Sequence, residues 1–358
     1  MIEQISIVIV SIWTLFLVFQ LSFRTTHENQ ELREFPLVSI LIPLRNEAHN
    51  VKRLCENLEE LNYPKSKIEI LFADDESDDD TFDLLKKYLP NNAQVFGSIP
   101  NNQNLVGKSR VLSFLANKAQ GEYLLFTDAD MLFHPDWVQN MISQTSHGSK
   151  ILVGFTEVRG EGWWSKMQNI DWLSNEWIIH CFSKVGVYLA AWGNNMLISK
   201  KDYLETGGFE EIGPTIVEDV ALMRACLKKD GQLKVVSSVQ AVGSTHSIGG
   251  IMELIQQRKR WMSGIKGLNP IWFIGYLIKL FFWPALVFLI VINIKWLILF
   301  FIALFCKILI YQKVPQRQTK KPSIIQVLCF ECYDFVFYLI TFVFYFLPFH
   351  TIWKGRNY

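Results

Sequence analysis

Two acidic segments carry the residues best suited to chemistry. The first is Asp74-Asp75-Glu76-Ser77-Asp78-Asp79-Asp80-Thr81, and the second is Thr127-Asp128-Ala129-Asp130. Taken singly, each has a plain account. An acidic loop is often a solvated turn, here with Ser77 or Asp79 placed to cap the following helix. A lone Asp-x-Asp also arises often by chance. Together they ask for more, because each follows a short apolar run with strand character, at 68–73 and 123–127. Two such ends in one parallel sheet converge on one edge and concentrate negative charge there. That is unfavourable unless a cation joins them. Hard carboxylate oxygens suit Mg²⁺ or Mn²⁺, which would bridge them to a diphosphate.

The elements that must position these residues are legible around them. Strand-like runs at 37–44, 68–73, 95–99 and 123–127 alternate with helical periods at 47–61, 81–89 and 108–119. Val51, Leu54, Leu58 and Leu61 mark the first helical face. This alternation predicts an α/β fold with a mostly parallel sheet flanked by helices. Ligands of such sheets bind beyond the carboxyl ends of the strands, where both acidic segments fall.

The 358 residues are half hydrophobic, with a formal net charge of +1. No polyelectrolyte signal points to a nucleic-acid partner. The apolar residues are unevenly spread. Residues 5–23 carry no charge and read as a retained anchor over 1–24. Residues 270–311 read as a membrane hairpin, with Lys279 and Lys295 expected to snorkel towards the headgroups. A last segment, 323–353, is either a short span or an interfacial helix, since Glu331 and Asp334 sit before its most apolar stretch. Lys313, Arg317, Lys320 and Lys321 place the loop before it, and with it the 35–268 domain, in the cytoplasm. Lys354 and Arg356 fit that rule poorly if the last segment spans. The expectation is therefore an integral membrane protein, in a cell's inner membrane, with a cytoplasmic catalytic domain. Its six cysteines would stay reduced there. The Cys329/Cys332 pair has no second pair or nearby His to make a zinc site.

The ordered motifs carry a family resemblance. VSILIPLRNEA at 38–48, ADDESDDDT at 73–81, Gly107-Lys108 before a helix, and then TDAD appear in sequence. GNNMLISK at 193–200, GGF at 207–209, Glu218-Asp219 and the QxxRW of Gln257, Arg260 and Trp261 follow. This order resembles glycosyltransferase family 2, with its GT-A fold, over about two-thirds of the chain. The membrane-bound branch with QxxRW, which includes ceramide glucosyltransferases and processive polysaccharide synthases, is the nearest in pattern.

The resemblance implies roles. Asp74 and Asp75 would bind the uracil, Pro43 and Glu47 would shape the nucleotide pocket, and Lys108 would lie near the nucleotide. Asp128 would face the ribose or metal, and Asp130 would bind the metal. Asp219 would be the general base beside Glu218, with Gln257, Arg260 and Trp261 contacting diphosphate and acceptor. One base and direct displacement would invert the anomeric centre, unlike the paired carboxylates of glycosidases. Structural accounts compete: Asp219 as a helix cap, and Arg258, Lys259 and Arg260 as juxtamembrane charge. His246, before the QxxRW helix, could approach the metal but reads better as a polar turn residue. Five tryptophans between Trp163 and Trp192 mark a candidate acceptor side, because tryptophan stacks on sugars and favours membrane interfaces. The expected partners are a nucleotide-sugar donor, probed first as a UDP-sugar, and a lipid or glycan acceptor. The alternatives are a short processive synthase and an inactive nucleotide-sugar-binding membrane subunit. A nucleotidyltransferase is disfavoured, since no Gly-rich loop follows the first strand.

Overall fold

The computed structural model describes residues 1–25, 32, 34–100, 104–145, 149–264 and 270–347, with the backbone of 352–353 and 356–357. Lys354 and the expected domain boundary at 268 lie outside the described residues. The chain opens with helix α1 (Ile2–Leu21). It then runs β1 (Val38–Leu44), α2 (Ala48–Glu59), β2 (Ile68–Asp74), α3 (Thr81–Tyr88), β3 (Ala93–Phe96), α4 (Gly107–Lys118) and β4 (Tyr123–Thr127). After α5 (Trp137–Ser143) come β5 (Ile151–Gly154), β6 (Thr156–Arg159), α6 (Gly162–Ser183) and β7 (Asn195–Ser199). Helices α7 (Lys200–Glu205), α8 (Gly208–Ile212) and α9 (Glu218–Leu227) precede β8 (Leu233–Val236), β9 (Gly243–His246) and α10 (Ile251–Gly264). Helices α11 (Ile271–Ile292), α12 (Leu297–Lys313) and α13 (Ile324–Phe346) follow, then the short strands β10 (Ile352–Trp353) and β11 (Arg356–Asn357).

Seven strands form one sheet in the order β3-β2-β1-β4-β7-β5-β8. It is mostly parallel and flanked by helices, as the alternating pattern predicts. The exception is β7, antiparallel to both β4 and β5. The third strand ends at Phe96 rather than at 99. A Cβ at Gly97, just past its end, would meet the Phe82 ring at 2.4 Å. In β1, Val38, Ile40, Leu41 and Ile42 are completely buried, as a strand covered on both faces requires. Each buried aliphatic side chain contributes about 1.5–3 kcal/mol.

Register sets the working edge. Leu44 pairs with Asp74, so the chain leaves β1 and β2 at one level. Thr127 pairs with Asn195, which places Gly193 and Asn194 beside the exit of Asp128 from β4. A separate ribbon pairs β6 with β9 in parallel, from Thr156↔Gly243 to Arg159↔His246. Leu132 bridges onto Ser244 of that ribbon.

Four helices among the described residues are long and apolar enough to cross a membrane: α1, α11, α13 and the stretch Ile294–Lys313 that contains α12. Trp13 of α1 packs its ring on Phe282 of α11. Lys313, at the end of α12, donates to the carbonyls of Leu21 and Phe23, so α1 and α12 finish at the same level. Lys279 does not reach out to a headgroup layer. Its ammonium lies 2.8 Å from Asp334 Oδ1 of α13, because a buried charge is far cheaper paired than alone. Both ends of α13 are held by the globular domain. The loop before it docks on Glu157, which accepts from the backbone N–H groups of Arg317, Gln318 and Thr319 at 3.1, 2.8 and 3.1 Å. At its far end, Leu347 O accepts from Lys259 Nζ of α10 at 2.9 Å.

Candidate active site

The loops after β1 and β2 are laced together. Asn46 N donates to Ser77 Oγ at 2.9 Å, Glu47 N to Thr81 Oγ1 at 2.8 Å, and Ala48 N to Asp79 Oδ2 at 3.2 Å. Asn46 Oδ1 accepts from Asp78 N at 3.0 Å, with Asn46 held at φ 54°. The acidic segment is thus a structural clasp: Ser77 serves the clasp, while Asp79 both joins it and accepts from Thr81 N at 3.0 Å at the start of α3. Burial raises the Asp79 carboxyl, but hydrogen bonds from the Thr81 hydroxyl and N–H and from Ala48 N outweigh it and hold the group below the ordinary range.

Asp74 and Asp75 are buried within this clasp. Asp74 accepts from Ser77 N and Oγ, and Asp75 pairs with Arg110 of α4 at 2.6 Å. Neither they nor Pro43, within β1, line the main cavity. Glu47 does, and accepts from Asn50 at 2.6 Å.

That cavity, of about 1020 Å³, brings together Glu47, Lys108, Asp128, Asp130, Glu218, Asp219, Gln257, Arg260 and Trp261. Lys108 is its hub. Its ammonium lies 2.6 Å from Asp128 and 2.9 Å from Glu218, joining the two acidic motifs. Burial works against the charge on Lys108, but the two carboxylates outweigh it and hold it above the ordinary lysine range.

Asp219 sits in the first turn of α9 and accepts from Gly193 N at 2.8 Å and Val220 N at 2.7 Å. Its contacts are therefore across the site and to its own neighbour, and the N-cap is Val217. A Cβ at Gly193 would lie 3.3 Å from that of Asp219, a tight contact that would press on the Asp219 side chain. Burial, helped by the Glu218 charge and opposed by Lys108, pushes the Asp219 carboxyl up to about 6.

Asp130 accepts from Thr245 Oγ1 of β9 at 2.7 Å. Arg53 of α2, in the same cavity, donates to the Asp130 carbonyl at 3.4 Å. Asp128 and Asp130 offer hard oxygens, and among the described residues no cluster of three or more His, Cys, Asp or Glu groups forms. Mg²⁺ or Mn²⁺ commonly takes one or two carboxylates and completes its shell with water and phosphate. The donor set therefore fits such an ion. His246 also lines the cavity, and burial together with Arg53 and Arg159 holds its pKa below the ordinary range.

The far half of the cavity is built from α6, α10, α11 and α13. Asp171 of α6 pairs with Arg258 of α10, whose guanidinium lies 4.4 Å from the Trp261 ring. Trp172 meets Trp261 edge-on at 5.2 Å. Of the other tryptophans, Trp177 is fully buried, and Trp192 donates to Gly154 O at 2.6 Å and lines the cavity. Trp164 donates to Ile248 O at 2.7 Å, while Trp163 is about half exposed, at 49%. The motif reading missed Arg53, Asp171 and Asp334. Asp334 alone left a signal, an acid inside an apolar run.

The family model for glycosyl transferase family 2 matches residues 39–205, and that for glycosyl transferase family group 2 matches residues 123–351. The chain belongs to glycosyltransferase family 2, and it is an enzyme of that class. It is 29% identical over 259 residues to a beta-monoglucosyldiacylglycerol synthase of Trichormus variabilis, covering 67% of this chain and 52% of that one. It is 24% identical over 235 residues to a poly-beta-1,6-N-acetyl-D-glucosamine synthase of Staphylococcus aureus, covering 63% of this chain and 54% of that one. The chain thus spans about half the length of these relatives. Its fold is also that of the mannosyltransferase PcManGT from Pyrobaculum calidifontis, solved with GDP-Man and Mn²⁺. The TM-score is 0.58 at 14% identity, over 96% of this chain and 99% of that one.

Proposed function

We propose that this enzyme transfers a single sugar, with inversion, from a nucleotide-sugar to a lipid acceptor that enters from the bilayer. The observation that carries the reading is the continuity of the cavity. It runs from Asp128 and Asp130, past Asp219, to Tyr276 of α11 and Tyr338 of α13. A donor of the UDP-sugar class lies at the first end, along Glu47 and Lys108, with Asp74, Asp75 and Pro43 shaping the base pocket behind it. Asp128 and Asp130 would hold Mg²⁺ or Mn²⁺, which when bound neutralises charge on the diphosphate. Asp219 takes the proton of the acceptor hydroxyl, whose oxygen bonds to the anomeric carbon as the bond to the diphosphate breaks. Lys108 and Arg260 offset the charge gathering on the leaving group. Glu218 keeps Lys108 in place, and Gln257 and Trp261 hold the acceptor side.

Helices α1, α11 and α12 cross the bilayer, and α13 lies along the interface as the acceptor's platform. The intact acidic set disfavours an inactive binding subunit. The basic 313–321 loop, docked on the globular domain, supports a cytoplasmic site.

The test uses the full chain in nanodiscs of extracted membrane lipid, with labelled UDP-glucose, UDP-galactose, UDP-N-acetylglucosamine and GDP-mannose. Labelled lipid of one added sugar is expected, lost on chelation and restored by Mg²⁺ or Mn²⁺. Asp130→Ala should lower turnover by at least about a hundredfold, in line with the loss of a major electrostatic group. Undiminished turnover in EDTA and in Asp130→Ala would overturn the metal assignment, and a polymeric product would overturn single transfer.

A further inference from the structure

We infer that the bilayer-side end of the cavity is a head-group subsite for an uncharged, hydroxyl-bearing lipid and that it rejects lipid phosphates. This rests on the lipid-acceptor reading above and narrows it.

The aspartates of the end chamber are each paired with a cation. Asp171 pairs with Arg258, and Asp334 pairs with Lys279 at 2.8 Å. All four side chains are nearly buried, at 6–11% exposure. The ammonium of Lys279 also lies 3.8 Å from the Tyr338 ring centroid, so its remaining face is covered. Asn175 donates to Asp171 Oδ1 at 2.8 Å, and the Tyr338 hydroxyl donates to Asn175 Oδ1 at 3.4 Å. Asp171, Arg258, Asp334, Asn175 and Tyr338 all line the cavity, Arg258 with its guanidinium held between Asp171 and the Trp261 ring, whereas Lys279 stands behind Asp334.

An ionised carboxylate has about four acceptor positions, and neither aspartate fills them with the partners above. What faces an incoming head group is therefore acceptor capacity. A hydroxyl donates to it. A phosphate would meet two carboxylates in a low-dielectric pocket, with both cations already committed, and like charges juxtaposed there exclude it. Diacylglycerols, ceramides and neutral glycolipids present hydroxyls, whereas polyprenyl phosphates present the excluded group.

The test is a competition in nanodiscs carrying equal mole fractions of diacylglycerol, ceramide and polyprenyl phosphate, with the full chain and the labelled UDP-sugars. Donor hydrolysis is followed in parallel. The expected result is that neutral lipid is glycosylated at least tenfold more efficiently than lipid phosphate, in kcat/KM. Asp171→Asn with Asp334→Asn, which leaves both cations in excess, should shrink that ratio at least tenfold. Because the wild-type ratio needs no variant, a misfolded mutant does not blunt the test. Equal or preferred use of polyprenyl phosphate by the wild type overturns the inference and leaves the lipid-acceptor reading standing. Donor hydrolysis without transfer to any lipid overturns both.

Discussion

Asp219→Asn should cut the rate of sugar transfer about 10²–10⁴-fold, the range expected for removing a general base, while the protein stays folded. The amide is nearly isosteric and still accepts one of the N–H groups from Gly193 and Val220. What it lacks is the capacity to take a proton. The pH dependence follows from the same environment. Burial first, and the Glu218 charge second, push the carboxyl up to about 6 against the pull of Lys108. The base must be ionised to act, so kcat should rise with pH through about 6 and fall away below it. Glu218→Gln removes the like charge and should move that inflection to lower pH. A pH–rate series from 5 to 8 on wild type and both variants checks each statement. Wild-type turnover in Asp219→Asn would rule out Asp219 as the base.

The largest loss of stability is expected from Glu157→Ala. Glu157 is fully buried on β6 and accepts from three successive N–H groups, at Arg317, Gln318 and Thr319, and from the Thr319 hydroxyl at 2.9 Å. Truncation leaves those donors without their acceptor and the half-buried Arg159 and Arg317 without the Glu157 counter-charge. Breaking a buried charged network of this kind costs about 3–5 kcal/mol. The thermal inactivation temperature of the full chain in detergent should fall by several degrees, with Glu157→Gln intermediate because it keeps one carbonyl acceptor. Activity should fall further than stability. The ribbon that Glu157 shares with β9 also carries Thr245, which braces Asp130. An unchanged inactivation temperature in Glu157→Ala would show that water or another acceptor replaces the carboxylate.

Local periodicity made much of the sheet readable. The apolar runs and the helix period around Val51 to Leu61 correspond closely to β1, α2, β2 and β4. The reversed direction of β7 was not readable, because its residues are as apolar as a parallel strand's and direction depends on the path between them. The acidic pattern at Asp128–Asp130 and Glu218–Asp219 marked residues that share one cavity. The pattern at Asp74–Thr81 looked similar but turns inward to clasp the preceding loop. Long-range pairs were the blind spot. Arg258 finds Asp171 across 87 positions, and Lys279 finds Asp334 across 55. A charge in an apolar run shows that a partner must exist, but nothing local says which one.

Helix α13 begins after a loop pinned to Glu157 and ends where Lys259 binds Leu347 O. On the topology proposed above, its two ends lie on the same face of the bilayer and it adds no crossing. That topology leaves three crossings among the described residues, α1, α11 and α12, and would put the first and last of these residues on opposite faces. Tags at each end, tested in sealed vesicles of known sidedness, should show opposite protease accessibility, the C-terminal one sharing the face of the catalytic domain. Tags on the same face would give α13 a crossing of its own. On that proposed topology the basic residues after α13 would share a compartment with those of the 313–321 loop, as the charge rule asks.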